Sequence, residues 1–141
     1  MKQPRDLAQR FLMLADRDAH TMLLLVDIEE SEDEAIGFHA QQAVEKCLKA
    51  VLSFHQIPFR KTHDLGELID LLGDAGKPVP PDADELDFLN PFAVTFRYDL
   101  LDIEAFDRKY AKKIVESIRR WAEHQIADLR WSRKASQRPN R

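Results

Sequence analysis

Residues 36–55 constrain the fold of this chain more than any other stretch, because their apolar residues recur at the spacing of one helix face. At about 100° per residue, seven apolar side chains share that face: Ile36, Ala40, Ala43, Val44, Cys47, Val51 and Phe54. Four polar residues fall together on a neighbouring stripe, which we call the polar stripe: His39, Gln42, Lys46 and Lys49. The pattern predicts a helix that packs into a core on one side and offers amide, imidazole and ammonium groups on the other.

Apolar repeats of the same kind predict two more long helices. The first is expected over residues 4–28, where Pro4 suits an opening turn, and the last over residues 102–129. No segment has the alternation of a strand, so the predicted fold class is all-α. We expect an antiparallel up-and-down helical bundle of three or four long helices plus one or two short ones. It should form a single domain over residues 1–131, followed by a basic tail, residues 132–141, that frays.

Two shorter helices are expected between the long ones. The central helix should stop before Pro58, and Thr62 or Asp64 can then cap a short helix that ends near residue 72. A second helix is expected over residues 82–96, where Pro91 either bends it or sets its true start.

Charged residues interrupt the apolar pattern at two places. Asp18 lies within the apolar stripe of the first helix, where it is either an edge residue in contact with water or a carboxylate paired with a base on the next helix. We expect the edge position, because Asp is rarely buried without a partner. The acidic run at residues 29–34 is expected to be a solvated loop in which Ser31 and Glu34 have capping-box spacing.

The overall charge is low, but it is unevenly distributed. The chain carries −4 in total, whereas residues 130–141 contain five cations and no acid, so residues 1–129 carry −9. A field of that sign is not typical of a general nucleic-acid binder. The single Cys47 excludes an intrachain disulfide, and the apolar run at residues 22–26 is far too short for a bilayer. We therefore expect a cytoplasmic protein that does not enter a membrane.

The reactive residue types lack the spacing of known catalytic sites. The histidines show neither Glu-x-x-His pairs nor His-Glu-x-x-His, and His63-Asp64 lies where a helix cap is expected. Cys47 falls in the middle of an apolar face, where a thiol is inert. The chain has four glycines and no glycine-rich phosphate loop. No metal and no cofactor are expected.

Three segments, in the same order, resemble the motifs of HEPN domains. The long one is residues 38–50, FHAQQAVEKCLKA, which is similar to the signature helix of that family. The short ones are residues 62–65, THDL, and the pair Arg97-Tyr98. The resemblance covers roughly residues 7–129 and implies a helical bundle that often pairs as a dimer.

The resemblance implies one of two functions. One branch of the family consists of accessory subunits encoded beside a minimal nucleotidyltransferase. Another consists of metal-independent ribonucleases and toxins, marked by an Arg and, after four to six residues, a His near the start of the last long helix. Arg97 stands at about the right place, but the three allowed positions hold Asp102, Ile103 and Glu104. Without that general acid or base, we expect no ribonuclease activity.

A second Arg and His pair has the required spacing but lies well inside the last helix. Arg119 and His124 are five residues apart, so their side chains diverge by about 140° around the helix. They cannot converge on one phosphate within a chain, although a dimer could bring copies of them together.

The polar stripe has two interpretations. It is either a solvated helix face, with Glu45 paired to Lys49, or a docking surface for an anionic ligand or an acidic partner. The resemblance favours docking and adds Arg97 and Tyr98 to the candidate binding residues. If the stripe is a docking surface, Lys46→Glu with Lys49→Glu should abolish binding and leave the melting temperature nearly unchanged. If the stripe is only a solvated face, the same pair should change little.

The sequence therefore predicts a non-catalytic binding module that serves as an accessory or nucleotide-presenting subunit of a minimal nucleotidyltransferase. A ribonuclease toxin with an atypical site and a purely structural dimer are the alternatives. The expected partners are a second copy of the chain in a symmetric homodimer, a minimal nucleotidyltransferase and a nucleotide. RNA is a partner in the ribonuclease alternative alone.

Overall fold

The computed structural model describes residues 3–93 and 106–137, and over these residues the chain is helical without any strand. The elements in chain order are α1 (Pro4–Val26), α2 (Asp33–Phe54), α3 (Leu65–Asp74), a 3-10 helix (Ala83–Ala93) and α4 (Arg108–Gln137). Three are long and two are short, so the predicted all-α bundle is confirmed. Within the described residues, no helix has an apolar stretch long enough to cross a bilayer.

Helix α2 is the centre of the bundle and contacts each of the other helices. Every one of its residues is buried or half-buried. The apolar face predicted from the sequence forms the core, where seven side chains are between 0% and 9% exposed: Ile36, Ala40, Ala43, Val44, Cys47, Val51 and Phe54.

The contacts of α4 fix the directions of the long helices. At its start, Arg108 contacts Val26 and Asp33, which lie at the end of α1 and the start of α2. Further along, Ile126 packs with residues from the other ends of those helices, Ala8, Ala50 and Phe54. Helix α4 therefore runs antiparallel to α1 and parallel to α2. The described part of the connection already returns the chain to the start of α2, because Phe92 lies against Gly37.

The turn between α1 and α2 differs from the prediction. The Ser31 hydroxyl lies 2.7 Å from the carbonyl oxygen of Leu25 and 2.6 Å from that of Ile28, so it serves the end of α1 and not the start of α2. The predicted capping box with Glu34 is therefore wrong, because its hydroxyl is already used. Glu34 is buried at 9% exposure, in a helix that begins three residues earlier than predicted.

Three acidic residues of this turn are exposed, as predicted for a solvated loop: Glu29, Glu30 and Glu32. Arg108 in addition fixes the backbone of the turn. Its Nε donates to Asp33 Oδ1 at 2.7 Å, and its Nη1 donates to the carbonyl oxygen of Ile28 at 2.9 Å. The guanidinium also donates to the carbonyl oxygen of Ser31. A charged group with several acceptors holds backbone geometry firmly, so α4 locks the connection between the first two helices.

After α2 the chain turns back along it. Helix α2 ends before Pro58, as predicted, and Gln56 takes the left-handed conformation with φ of 59°. The next segment then lies beside α2, because the Phe59 ring is 5.7 Å from Lys49 Nζ. At the start of α3, the Asp64 carboxylate accepts from the Gly66 N–H at 2.9 Å, which confirms the predicted cap.

The helix predicted over residues 82–96 is a 3-10 helix that ends, among the described residues, at Ala93. Pro91 explains the difference, because proline lacks the N–H of an α-helical bond and clashes with the carbonyl four residues earlier. Phe92 packs on α2 at Gly37, where an added Cβ would lie 2.4 Å from its ring. A residue without a side chain is required at this crossing.

Helix α4 is longer than predicted at its carboxyl end. Asp107 caps its start, since Oδ1 accepts from the N–H of Lys109 at 3.0 Å and of Tyr110 at 3.1 Å. The helix continues to Gln137, past the end predicted near Leu129 and into the segment expected to fray. The added residues are mostly good helix formers, and the first residue that opposes a helix is Pro139.

Candidate functional site

The polar stripe occupies the side of α2 that the other helices leave partly open. The side chains of His39, Lys46 and Lys49 are 26%, 21% and 12% exposed, and Gln42 is half-buried. Helix α1 flanks the stripe on one side and the segment with Phe59 on the other. The stripe is therefore half-buried between these neighbours and not a freely solvated face.

Asp18 of α1 joins two members of the stripe in what we call the Asp18 cluster. Its Oδ1 is 3.0 Å from His39 Nδ1, and its Oδ2 accepts from Lys46 Nζ at 2.7 Å. Because an ionised carboxylate only accepts, His39 Nδ1 carries the hydrogen. The Asp18 side chain is 15% exposed. The predicted edge position is therefore wrong, and the alternative, a carboxylate paired with bases on the next helix, is what the fold contains.

Glu45 of α2 makes a second cluster of the same composition, the Glu45 cluster. Its Oε1 is 2.7 Å from His63 Nδ1, and its Oε2 accepts from Lys49 Nζ at 3.1 Å. The pairing of Glu45 with Lys49 was expected from their spacing of four residues and is confirmed. The Glu45 side chain is only 4% exposed, whereas His63 is 53% exposed.

Two glutamines connect the clusters. Lys46 Nζ donates to Gln42 Oε1 at 3.2 Å, and Gln42 Nε2 donates to Gln41 Oε1 at 2.7 Å. Gln41 Nε2 then donates to the carbonyl oxygen of His63 at 3.0 Å and contacts Glu45 Oε1 at 3.3 Å. Eight side chains thus form one polar network: Asp18, His39, Gln41, Gln42, Glu45, Lys46, Lys49 and His63.

The sequence analysis missed half of this network. Asp18, Gln41, Glu45 and His63 belong to it but not to the predicted binding residues. The signal for Asp18 was present, since a carboxylate inside an apolar stripe needs a partner. Gln41 gave no such signal. It is 0% exposed, but sequence periodicity does not distinguish a buried glutamine from a solvated one.

The charges of the network balance. Two carboxylates face two ammonium groups, so the network is neutral with neutral imidazoles and carries +2 when both are protonated. Mixed donors and acceptors of zero net charge suit a hydrogen-bonding surface better than a site for a free anion.

Nucleophilic and metal chemistry gain no support from the surroundings. Burial raises the pKa of the Cys47 thiol to about 12, so it stays protonated in the core. Nowhere in the described parts of the chain do three or more His, Cys, Asp or Glu side chains group as metal ligands would. Asp64 beside His63 is occupied as the α3 cap.

The remaining candidates do not join the polar network. Arg97 and Tyr98 lie outside the described residues, as do Asp102, Ile103 and Glu104. Arg119 is bound to Asp16 of α1, with Nε and Nη2 at 3.0 and 2.6 Å from Oδ1. His124, its proposed partner, is exposed on α4.

Comparison with known proteins adds one finding. The family model of the HEPN domain matches residues 8–125, which is most of the chain. The matched region contains the whole polar network and α4 from its first residue to residue 125. No curated protein and no solved structure matches the chain. The match over residues 8–125, together with a bundle built around the predicted signature helix, establishes that this chain belongs to the HEPN domain family.

Proposed function

We propose that this HEPN domain is a non-catalytic binding module and acts as the accessory subunit of a minimal nucleotidyltransferase. The polar stripe is its docking surface. The observation that carries the proposal is the polar network, because it holds the partly open side chains of α2 in fixed positions before any partner arrives. Binding to preorganised groups costs less side-chain entropy than binding to free ones.

The bonding of the two lysines favours a protein partner over a free nucleotide. Lys46 Nζ already contacts Asp18 and Gln42, and Lys49 Nζ contacts Glu45, so each ammonium keeps fewer than its three N–H groups for a ligand. A free phosphate would have to compete with the carboxylates of the network. A partner that offers single carboxylates or carbonyl oxygens needs only the remaining donors. The four glycines of the chain form no phosphate cradle either.

The decisive experiment begins with the genes on either side of this one. We expect a short nucleotidyltransferase gene there, and co-expression of the two proteins should give a complex that remains intact in size-exclusion chromatography. Lys46→Gln with Lys49→Gln should weaken that complex by at least tenfold, while Lys46→Arg with Lys49→Arg should retain most of the affinity.

The matched control is Lys112→Gln with Lys113→Gln, because both lysines are exposed on α4. It should leave the complex unchanged. Thermal melts of every variant separate lost binding from lost folding. A complex that tolerates the stripe variant as well as the control would show that the stripe is an ordinary helix face.

Catalysis provides a second test. The purified protein should leave both structured and single-stranded RNA intact, because no His stands at the three positions expected after Arg97. Cleavage that disappears in both Arg97→Ala and His124→Ala would support the ribonuclease alternative instead.

The functional unit in this proposal is a symmetric homodimer. Helix α1 offers apolar side chains to solvent, among them Met13 at 56% and Leu24 at 59% exposed. Exposed apolar groups of this size suit an isologous interface. Light scattering at tens of micromolar should therefore give twice the chain mass of 16.4 kDa, and a monomer mass would contradict this part of the proposal.

A further inference from the structure

One face of α1 is exposed along nearly the whole helix, and its residues follow a seven-residue repeat. Six exposed residues alternate in spacing between three and four positions, and we call them the α1 seam: Arg10, Met13, Arg17, His20, Leu24 and Asp27. An average spacing of 3.5 residues keeps side chains on one narrow stripe of a helix, as in coiled coils. Asp27 caps α1 with helical φ and ψ of −89° and −2°, so it stays in the same register. The seam is about 26 Å long at 1.5 Å per residue.

The charged side chains of the seam have no partner within the described part of the chain. Arg10, Arg17 and Asp27 take part in none of the ion pairs that join described residues. Asp16, which lies beside the seam, is by contrast bound to Arg119 of α4, with Oδ1 2.6 Å from Nη2. The seam therefore keeps its charges available for a contact outside the chain.

Large apolar side chains are exposed on the same side of α1. The described residues expose five of them, and four lie on α1 or directly after it: Leu7, Met13, Leu24 and Ile28. Met13 and Leu24 belong to the seam, while Leu7 and Ile28 flank it on one side by helical spacing. Exposed apolar groups gathered on one face suit a protein interface.

A second copy of α1 in the antiparallel direction complements the seam. A two-fold axis that crosses the helix between residues 18 and 19 places each seam residue opposite another at the same distance from that centre. Three kinds of pair follow, each occurring twice: Met13 with the partner's Leu24, Arg17 with the partner's His20, and Arg10 with the partner's Asp27. In addition, Leu7 comes within about 3 Å along the axis of the partner's Ile28. Each apolar position thus meets an apolar one, and each arginine meets an acceptor.

We propose that the α1 seam is the interface of a symmetric homodimer in which two α1 helices pack antiparallel in this register. The inference rests on the homodimer of the proposed function and adds its surface, its direction and its register. Parallel packing of two seams would place Arg10 against the partner's Arg10 and Asp27 against the partner's Asp27, and like charges in contact repel. The antiparallel direction turns both contacts into ion pairs.

A second copy fits the seam better than the nucleotidyltransferase does. An isologous interface requires a patch that is complementary to itself after a two-fold rotation, and the seam has this property in its charges and in its apolar positions. A partner of another sequence would not require Met13 and Leu24, or Arg10 and Asp27, to stand at equal distances from one centre. With few apolar pairs the dimer should be weak, with a Kd of about micromolar order.

Exchange of charges across the interface tests the register. Arg10→Asp and Asp27→Arg, made separately, should each raise the Kd of the dimer by at least about fivefold, because each creates two like-charge contacts. The variant with both substitutions restores opposite charges and should return to within about twofold of wild type. Light scattering over a dilution series of the full chain measures each Kd, and thermal melts check folding. The control Arg120→Asp, at an exposed position of α4, should leave the Kd unchanged.

Cross-linking tests the direction of packing. In the variant with Met13→Cys and Leu24→Cys, each introduced thiol should face one in the partner, so a short bismaleimide should join two chains covalently. Each single variant should cross-link poorly, because its two equivalent thiols would lie about 16 Å apart along the axis. The native Cys47 is buried and should not react.

Four results would overturn the inference, and they separate it from the proposed function. A dimer mass with no response to the single charge variants would mean that the homodimer uses another surface. Efficient cross-linking of either single cysteine variant would indicate parallel packing. Loss of the nucleotidyltransferase complex in the charge variants, with the dimer intact, would assign the seam to that partner. A monomer mass for wild type would remove the homodimer and this interface together, whereas docking at the polar stripe would still be decided by the co-expression experiment.

Discussion

The Asp18 and Glu45 clusters contain the same three kinds of group, a carboxylate, an imidazole and an ammonium, but they differ in what they join. The Asp18 carboxylate comes from α1 and is 15% exposed, so its cluster links two long helices that also pack through apolar side chains. The Glu45 carboxylate is 4% exposed and links α2 to the irregular segment before α3 through His63. A segment without its own ladder of backbone bonds depends more on such side chains.

The difference predicts unequal costs for removing each carboxylate. Glu45→Ala leaves the Lys49 ammonium, only 12% exposed, without its carboxylate, so we expect a loss of about 3–5 kcal/mol in the free energy of unfolding. Asp18→Ala leaves more accessible bases and should cost about 1–3 kcal/mol. Urea denaturation measures both. Equal losses would mean that the two clusters are equivalent despite their different burial.

Reversing the charge of each lysine should destabilise the fold in the same order, with Lys49 costing more than Lys46, but by less than removal of the carboxylate. Lys49→Glu places a carboxylate beside buried Glu45 and should cost about 2–3 kcal/mol, while Lys46→Glu beside Asp18 should cost about 1–2 kcal/mol. These values replace the expectation from sequence that reversing both leaves the melting temperature unchanged. Matched reversals at the exposed Lys112 and Lys113 should stay within about 0.5 kcal/mol. Thermal melts in which Lys46→Glu proved the more damaging would reverse the comparison.

How much of this site could be predicted from the sequence depends on how far apart the partners of each contact lie along the chain. The apolar face of α2, the stop before Pro58 and the Asp64 cap are local, and periodicity and capping rules predict them. The two partners of Asp18, His39 and Lys46, are 21 and 28 residues further along the chain. The sequence of each helix shows its polar face but does not show which helix that face will meet.

The same reasoning explains the missed role of Arg108. Its partner Asp33 is 75 residues away, and its other acceptors include backbone carbonyl oxygens, which no side-chain pattern records. The 3-10 form of Ala83–Ala93 was missed for a different reason. Apolar spacing places Leu86, Leu89 and Phe92 in the core for either helix type, so it cannot distinguish between them.

A double-mutant cycle tests whether the glutamine bridge makes the two clusters one unit. Asp18→Ala combined with Glu45→Ala should deviate from additivity by about 0.5–1 kcal/mol, because Gln42 and Gln41 connect the carboxylates through shared hydrogen bonds. Repeating the cycle in a Gln41→Ala background should reduce the coupling toward zero. Strict additivity in the original background would show two independent clusters.

A third histidine extends the comparison, because it lacks the carboxylate that both clusters supply. His55 follows α2, and in the described part of the chain its buried Nε2 has no hydrogen-bond partner. Burial, together with the positive charge of Lys77, lowers the pKa of His55 below its ordinary value of 6.5. The unfolded chain therefore binds this proton more readily than the folded one.

The consequence for stability has a definite sign. The free energy of unfolding that depends on a neutral His55 is fully present above the ordinary pKa of 6.5. It is lost as the pH falls below 6.5 and then through the lower pKa of His55 in the folded state. His55→Gln should therefore lose less stability than wild type when the pH is reduced from 7.5 to about 5, a small effect because the ring is partly exposed. Melting temperatures recorded across this range for wild type, His55→Gln and the exposed-site control His20→Gln would measure it. A steeper acid loss in His55→Gln than in wild type would show that the neutral, unpartnered imidazole is not what the fold favours at this position.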